Sequence, residues 1–250
     1  MKEKIRLHKL LAQAGMGGRR TVEEWIKEGR IRINGMLAQI GQLASWEDEI
    51  YVEGKRIRLP RETSRVRVLV YHKAEGELCA SFSPEGKKTV FEALPPIRDG
   101  KWIAVGRLDL NTAGLLLFTN HGELAHRLMH PRFNIPRHYA VRVLGKVTPE
   151  MLTRLKQGVR FEEGLFRFNE IKAHRTSPGA NQWFTVTLKE GKYREVRRLW
   201  ESQGCIVSRL IRIKHGIIEL PRYLKKSAFE ELSPDRVEAL LESVSFSLPA

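Results

Sequence analysis

The chain is poor in cysteine: Cys79 and Cys205 are the only two in 250 residues, far apart and in no metal-ligand spacing. That excludes a disulfide framework and a thiolate zinc site. A long apolar run is also missing. Charges interrupt the N-terminal stretch MKEKIRLHKLLAQAG, so neither a secretory leader nor a membrane span is expected, and a reducing cytoplasm is the expected setting. No GxGxxG or Walker-type loop occurs, which removes the commonest signs of a dinucleotide or nucleoside triphosphate site. There is no HExxH, and His121, His126 and His130 have no companion Cys or Asp cluster, so no metal is expected. Ser81 and Ser83 lack a GxSxG setting, which leaves a serine hydrolase without support. The expected inventory is therefore free of metals and cofactors.

Acidic residues are outnumbered. Against 29 Asp and Glu stand 44 Lys and Arg, for a formal charge of +15 at pH 7, and both the first 62 residues and the remainder are net positive. Such a field favours a polyanion, because Lys and Arg that replace condensed counterions on phosphates gain the entropy of releasing them. Nucleic acid is the partner this charge points to, with a merely soluble basic surface as the plain alternative. Hydrophobic residues at 42% and aromatics at 8% describe a folded globular chain.

Leu7, Leu10, Leu11 and Ala14 form one helical stripe that Gly15 to Gly18 end. Thr21 with Glu24 reads as a capping box for a second helix with Val22, Trp25 and Ile26 on its buried side and Gly29 at its end. Arg30 to Ile33 then alternates into an Asn34-Gly35 type I′ hairpin turn leading to Met36 to Ala38. A helix-helix-hairpin unit is thus expected over residues 1–62, the end of a polar, Pro-containing linker (residues 59–65) at 63–66, and a larger domain over 67–250. In that domain, strands are expected at Val66 to Tyr71, Leu78 to Ser81, Trp102 to Val105, Gly114 to Thr119, Tyr139 to Val143, Phe166 to His174, Trp183 to Leu188 and Val207 to Ile213. Helices are expected at His121 to Met129, Pro149 to Gln157, Arg194 to Gln203 and from Ser233-Pro234 onward. Helices fall between only some strands, so the fold class is α+β with a mixed, mainly antiparallel sheet flanked by helices.

The informative segment is Gly106-Arg107-Leu108-Asp109-Leu110-Asn111-Thr112-Ala113-Gly114-Leu115-Leu116, a charged loop between two apolar strand runs. An Arg and an Asp two residues apart on a stiff turn can project together into a cleft, although a lone loop Asp is ordinarily a turn or capping residue. In its neighbourhood the segment resembles the signature of the pseudouridine synthase superfamily, in its RsuA/RluB branch. Arg137-His138-Tyr139-Ala140-Val141, Asn181-Gln182-Trp183, Glu190 to Leu199 and Ser208 to Ile213 resemble the same family in order and spacing, so the likeness spans most of residues 66 to 225.

The resemblance implies that Asp109 is the essential carboxylate of an enzyme that detaches a uracil base from C1′, rotates it and rejoins it through C5. Attack on the base, attack on the sugar and removal of the 2′ proton are three open routes. It further implies Arg197 as the cation set against Asp109, and Tyr139 as the residue that stacks on the target base. Arg107 is implied to enter the space that the flipped base vacates. Helical spacing agrees that Val196, Leu199, Trp200 and Gln203 share one face, leaving Arg194, Arg197, Arg198 and Glu201 for the others. Arg194 and Arg198 are therefore candidate RNA contacts, with a solvated helix face as the plain reading.

Residues 6–12 and 29–35 resemble an S4 RNA-binding domain, which implies Lys9, Arg19, Arg20 and Arg30 as contacts to RNA. Within the branch, Asn181-Gln182-Trp183 and Glu195 to Trp200 look most like members acting on 23S rRNA, with 16S rRNA as the alternative. The implied partner is rRNA or an assembling ribosomal subunit, met by a monomer. A non-catalytic ribosome-assembly factor is the rival from another class, against which intact Asp109, Tyr139 and Arg197 argue.

Overall fold

A computed structural model describes residues 4–59, 65–97, 100–174 and 181–247. Of the expected linker, residues 60–64 lie outside that description. Contacts divide the chain into two units: Met1–Arg67 with Pro95–Ile103 and Asn120–Gly122, and Val68–Leu94 with Ala104–Thr119 and Glu123–Ala250. Two later segments thus group with the N-terminal unit, which a division into consecutive spans does not anticipate.

The first unit opens with β1 (Ile5–Arg6), α1 (Leu7–Gln13) and α2 (Arg19–Lys27), followed by β2 (Ile31–Ile33), β3 (Met36–Leu37), β4 (Leu43–Ala44), β5 (Ile50–Val52) and β6 (Lys55–Arg56). The expected helical stripe is its core: Leu7, Leu10 and Leu11 pack with Val22, Ile26, Ile31, Ile33 and Ile50. Asn34 and Gly35 take φ of 49° and 82°, the left-handed pair that a type I′ turn requires. One expectation needs correction. The second helix is capped by Gly18, whose backbone is extended, so Thr21 lies inside the first turn and forms no capping box. The expected hairpin forms as β2 with β3 and is extended into a four-stranded sheet in the order β3-β2-β5-β6, because Ile50 and Val52 bury a further alternating strand against it.

The second unit is built on a nine-stranded sheet. Its strands are β7 (Val68–Lys73), β8 (Ile103–Ala104), β9 (Ala113–Thr119), β10 (Arg137–Leu144), β13 (Glu170–Ala173), β14 (Asn181–Leu188), β15 (Ile206–His215), β16 (Ile218–Glu219) and β17 (Phe229–Glu231), with β11 (Val159–Phe161) and β12 (Gly164–Phe166) as a separate hairpin. The order is β13-β14-β10-β15-β9-β7-β17, with β16 beside β15 and β8 beside β9, and β9 runs parallel to β15. All seven residues of β9 are buried, which explains its unbroken apolar run. β10 instead alternates, placing Arg137, Tyr139, Val141 and Val143 on its buried face.

Helices α3 (Gly122–Met129), α4 (Pro149–Gln157), α5 (Glu195–Glu201) and α6 (Pro234–Ser243) complete it. α4 follows the expected bounds, with the Thr148 hydroxyl accepting from the Met151 N–H and Pro149 at the first position. The helix expected over Arg194 to Gln203 is shorter, because Arg194 sits in the left-handed region and caps it. Leu78 to Ser81 is not a strand but contributes one isolated bridge, Leu78 to Thr89. Phe166 to His174 splits into β12 and β13, since Phe168 leaves the ladder to bond the Leu155 carbonyl and fill the core.

Candidate active site

Asp109 stands on the turn that leads into β9, and that turn is held from beneath. The ammonium of Lys73, at the end of β7, is buried and donates to the carbonyls of Ala74, Asp109, Leu110 and Thr112 at 2.9, 3.1, 3.3 and 2.9 Å. The Gly76 N–H bonds the Leu110 carbonyl at 2.9 Å and the Thr112 N–H returns to the Asp109 carbonyl at 3.0 Å. A buried ammonium without such partners would be costly, so its burial fixes where these carbonyls converge. Burial pushes the Lys73 pKa down, while the charges of Cys79, Glu77, Asp109 and Glu75 oppose that shift.

The brace continues through Glu77, whose buried carboxylate accepts from the Tyr71 hydroxyl at 2.9 and 3.0 Å and from the Ala74 N–H at 2.9 Å. On the other side of the turn, Gly114 has φ +108° and lies opposite Arg212 in the parallel pair; a Cβ there would sit 2.3 Å from the Arg212 carbonyl oxygen. Only glycine permits that approach. The buried Arg212 guanidinium then donates to the Leu115 carbonyl at 2.7 Å.

Above this floor lies a cavity of about 850 Å³ whose lining includes Asp109, Thr112, Tyr139, Leu210, Arg107 and Arg194. Tyr139 comes from the buried face of β10, and Arg107 is exposed at the edge. A second carboxylate, Glu195, also lines the cavity; it is buried, which pushes its pKa up, and it accepts from the Lys192 N–H at 3.1 Å. Among the described residues, no group of three His, Cys, Asp or Glu is arranged to hold a metal, and no helix is long and apolar enough to cross a membrane.

Arg197 is near the site in a different manner from the expected ion pair. Its guanidinium donates to the carbonyls of Val207 and Asn111, both at 2.8 Å, and so ties α5 to the turn two residues beyond Asp109. The Asp109 charge acts on it electrostatically, against burial and the like charge of Arg194, which lower its pKa. These bonds use two of its five N–H groups and its buried Nε has no hydrogen-bond partner among the described residues, and it forms no direct salt bridge with the Asp109 carboxylate.

Arg198, expected to contact RNA, is engaged with the protein: it makes two 2.9 Å bonds to Glu163 and lies over the rings of Phe161 and Phe166. That pairing draws the Glu163 carboxyl down to about 2. Arg194 pairs at 3.5 Å with Glu201 while lining the cavity. In the first unit, Arg30 is likewise taken up by Glu28 and Glu53 and covers the Trp25 ring, whereas Arg19 and Arg20 are exposed on the first turn of α2 and Lys9 is half-buried on α1. Sequence reasoning missed Lys73, Glu77, Arg212 and Glu195. Nothing in the sequence singles them out: Lys73 follows His72 after the apolar run Val68 to Tyr71, where a lysine ordinarily signals the surface.

Comparison with known proteins bears on both units. A model of the RNA pseudouridylate synthase family matches residues 67–202, and a model of the S4 domain matches residues 5–44. The chain is 48% identical to a ribosomal large subunit pseudouridine synthase B of Pseudomonas aeruginosa over 96% of its own length and 62% of that protein's. Proteins of the same description from Haemophilus influenzae and Pasteurella multocida are 49% and 50% identical, over 98% of this chain and 69% and 71% of theirs. The chain thus spans about two thirds of the length of these relatives, and about 62% of the Pseudomonas protein. A solved structure described as a pseudouridylate synthase superposes with a TM-score of 0.65 at 25% identity, covering 94% of this chain and 99% of that one.

Proposed function

The chain belongs to the RNA pseudouridylate synthase family, and we propose that it isomerises a uridine of the large-subunit (23S) rRNA to pseudouridine. In this reaction the N1–C1′ bond breaks, a C5–C1′ bond forms, C5 loses its proton and N1 gains one, so no outside oxidant or co-reactant is consumed. Asp109 is the carboxylate on which the step depends, Tyr139 stacks on the base, and Arg107 fills the gap left in the RNA. Taking a nucleotide out of its stack costs a few kcal/mol, which stacking on an aromatic face offsets by about 1 to 3 kcal/mol. Residues 1–62 act as an accessory RNA-binding domain, with Arg19 and Arg20 on phosphates.

The observation that carries the reading is the Asp109 turn, braced by the buried Lys73 ammonium, opening into a cavity that also holds Tyr139. Arg197 acts as a positioning residue, through the Asn111 carbonyl. The large-subunit target is supported by the descriptions of the relatives.

The test is pseudouridine mapping, by carbodiimide labelling and primer extension, on 23S and 16S rRNA from cells lacking the gene and complemented with wild type or Asp109→Asn. One 23S signal is lost and restored by wild type alone. Turnover by Asp109→Asn comparable with wild type removes the central claim; a lost signal in 16S rRNA moves the target and keeps the reaction. No lost signal in either rRNA favours a non-catalytic ribosome-assembly factor.

A further inference from the structure

Two aromatic side chains of the larger unit stand in solvent beside the Asp109 cavity: Phe82 is 74% exposed and Tyr193 75% exposed. Tyr193 belongs to the cavity lining and precedes Arg194, whose left-handed backbone (φ 48°) turns the chain into α5. Phe82 lies just past Ser81. Ser81 and Phe91 line both the Asp109 cavity and a second, more open recess of about 400 Å³ that contains Phe82, Ser83 and Lys87, so the two hollows are neighbours with a shared wall.

The loop that displays Phe82 is tied at its base. Leu78 and Lys88 share a 2.9 Å main-chain bond, Val90 returns to Leu78 at 2.9 Å, and the Ser83 hydroxyl accepts from the Lys87 N–H at 3.0 Å. Phe82 is thus held outward on a bonded turn, where its ring gains little unless something covers it. The two lysines of the same loop are already matched, Lys87 with Glu85 and Lys88 with Glu77. What these rings offer is therefore a flat apolar face more than a charge, and every nucleobase presents a π face whatever its identity.

We propose that Phe82 and Tyr193 are stacking positions for the unpaired bases on either side of the target uridine, the substrate strand passing from the Asp109 cavity into the 400 Å³ recess. This rests on the RNA-uridine reading above and adds where the flanking nucleotides lie. The occupant is single-stranded RNA, recognised without strong preference for base.

The test uses the full chain with Phe82→Ala, Tyr193→Ala, Phe82→Trp and Tyr193→Phe. Binding is read by anisotropy on fluorescein-labelled single-stranded oligouridylate and on its duplex with oligoadenylate, and turnover on a 23S rRNA transcript. Each alanine variant weakens single-strand binding and raises KM by about tenfold, with kcat within about twofold and duplex binding unchanged, while the aromatic replacements keep wild-type values. Both side chains are exposed, so thermal melting is unaltered. Alanine variants that bind oligouridylate as wild type does overturn the proposal, even if the enzyme is active. Weakened binding in an enzyme that makes no pseudouridine instead upholds the stacking surface and removes the reading of function beneath it.

Discussion

The exposed arginines of α2 and the cations around the Asp109 cavity are held in different ways. On α2 of the N-terminal unit, Arg19 and Arg20 are exposed on the first turn. Around the cavity, cations are engaged by the protein itself: Lys73 with four carbonyls, Arg197 with two and Arg212 with the Leu115 carbonyl, while nearer the surface Arg198 pairs with Glu163. The chain's +15 is therefore not a uniform footprint for RNA. Part of it is structural, holding the Asp109 turn in place, and only the outward part is open to an anionic partner.

The sharpest way to break this contrast is Lys73→Met, which keeps the apolar stem and removes the charge. Four carbonyls lose the ammonium, those of Asp109 and Leu110 keeping only a main-chain N–H donor, so urea denaturation shows a loss of about 3 kcal/mol. Single-turnover pseudouridine formation falls about a hundredfold as the Asp109 turn shifts. Wild-type turnover in that variant would reduce Lys73 to a passenger. A milder effect comes from the other unit. Arg19→Gln combined with Arg20→Gln leaves stability unchanged and lowers the slope of log affinity for rRNA against log salt by about 2; an unaltered slope means that neither arginine meets a phosphate.

The smallest effect concerns Glu163. Its carboxyl is held at about 2, below the ordinary 4.5, chiefly by Arg198. A depressed carboxyl contributes stability that is present above pH 4.5 and is lost as pH falls through about 2. The melting temperature of wild type should therefore exceed that of Glu163→Gln near neutrality, and the gap should close on acidification. A gap that persists at the lowest pH would place the effect in packing against Phe161 and Phe166 instead of charge.

Much of the architecture was legible because local chemistry and tertiary packing agree. Thr148-Pro149 begins α4 and Gly158 ends it, Asn34-Gly35 makes its turn, and the alternation of Arg137 to Val143 puts Tyr139 on the buried face. Legibility failed where tertiary partners decide. Thr21 and Glu24 have the spacing of a capping box, yet the extended Gly18 starts the helix earlier. Leu78 to Ser81 has strand composition but finds only one bridging partner. At the site, the Asp109 loop stands out as a charged interruption between strands, whereas Lys73 does not, since a lysine in sequence ordinarily signals surface. The same limit applies to Arg197 and Arg198: adjacent arginines look alike until Asn111 and Glu163, from distant parts of the chain, claim them.

The parallel pairing of β9 with β15 joins Ala113 to Ile211 and Gly114 to Arg212, partners separated by most of the larger unit's sequence. A strand that must wait for so remote a neighbour forms late, because the loop between them has to close before the pairing returns any energy. During synthesis the N-terminal unit and its exposed arginines can therefore fold while the Asp109 turn still lacks one of its walls. The order of emergence lets the surface that carries Arg19 and Arg20 be complete before the turn that carries Asp109 is.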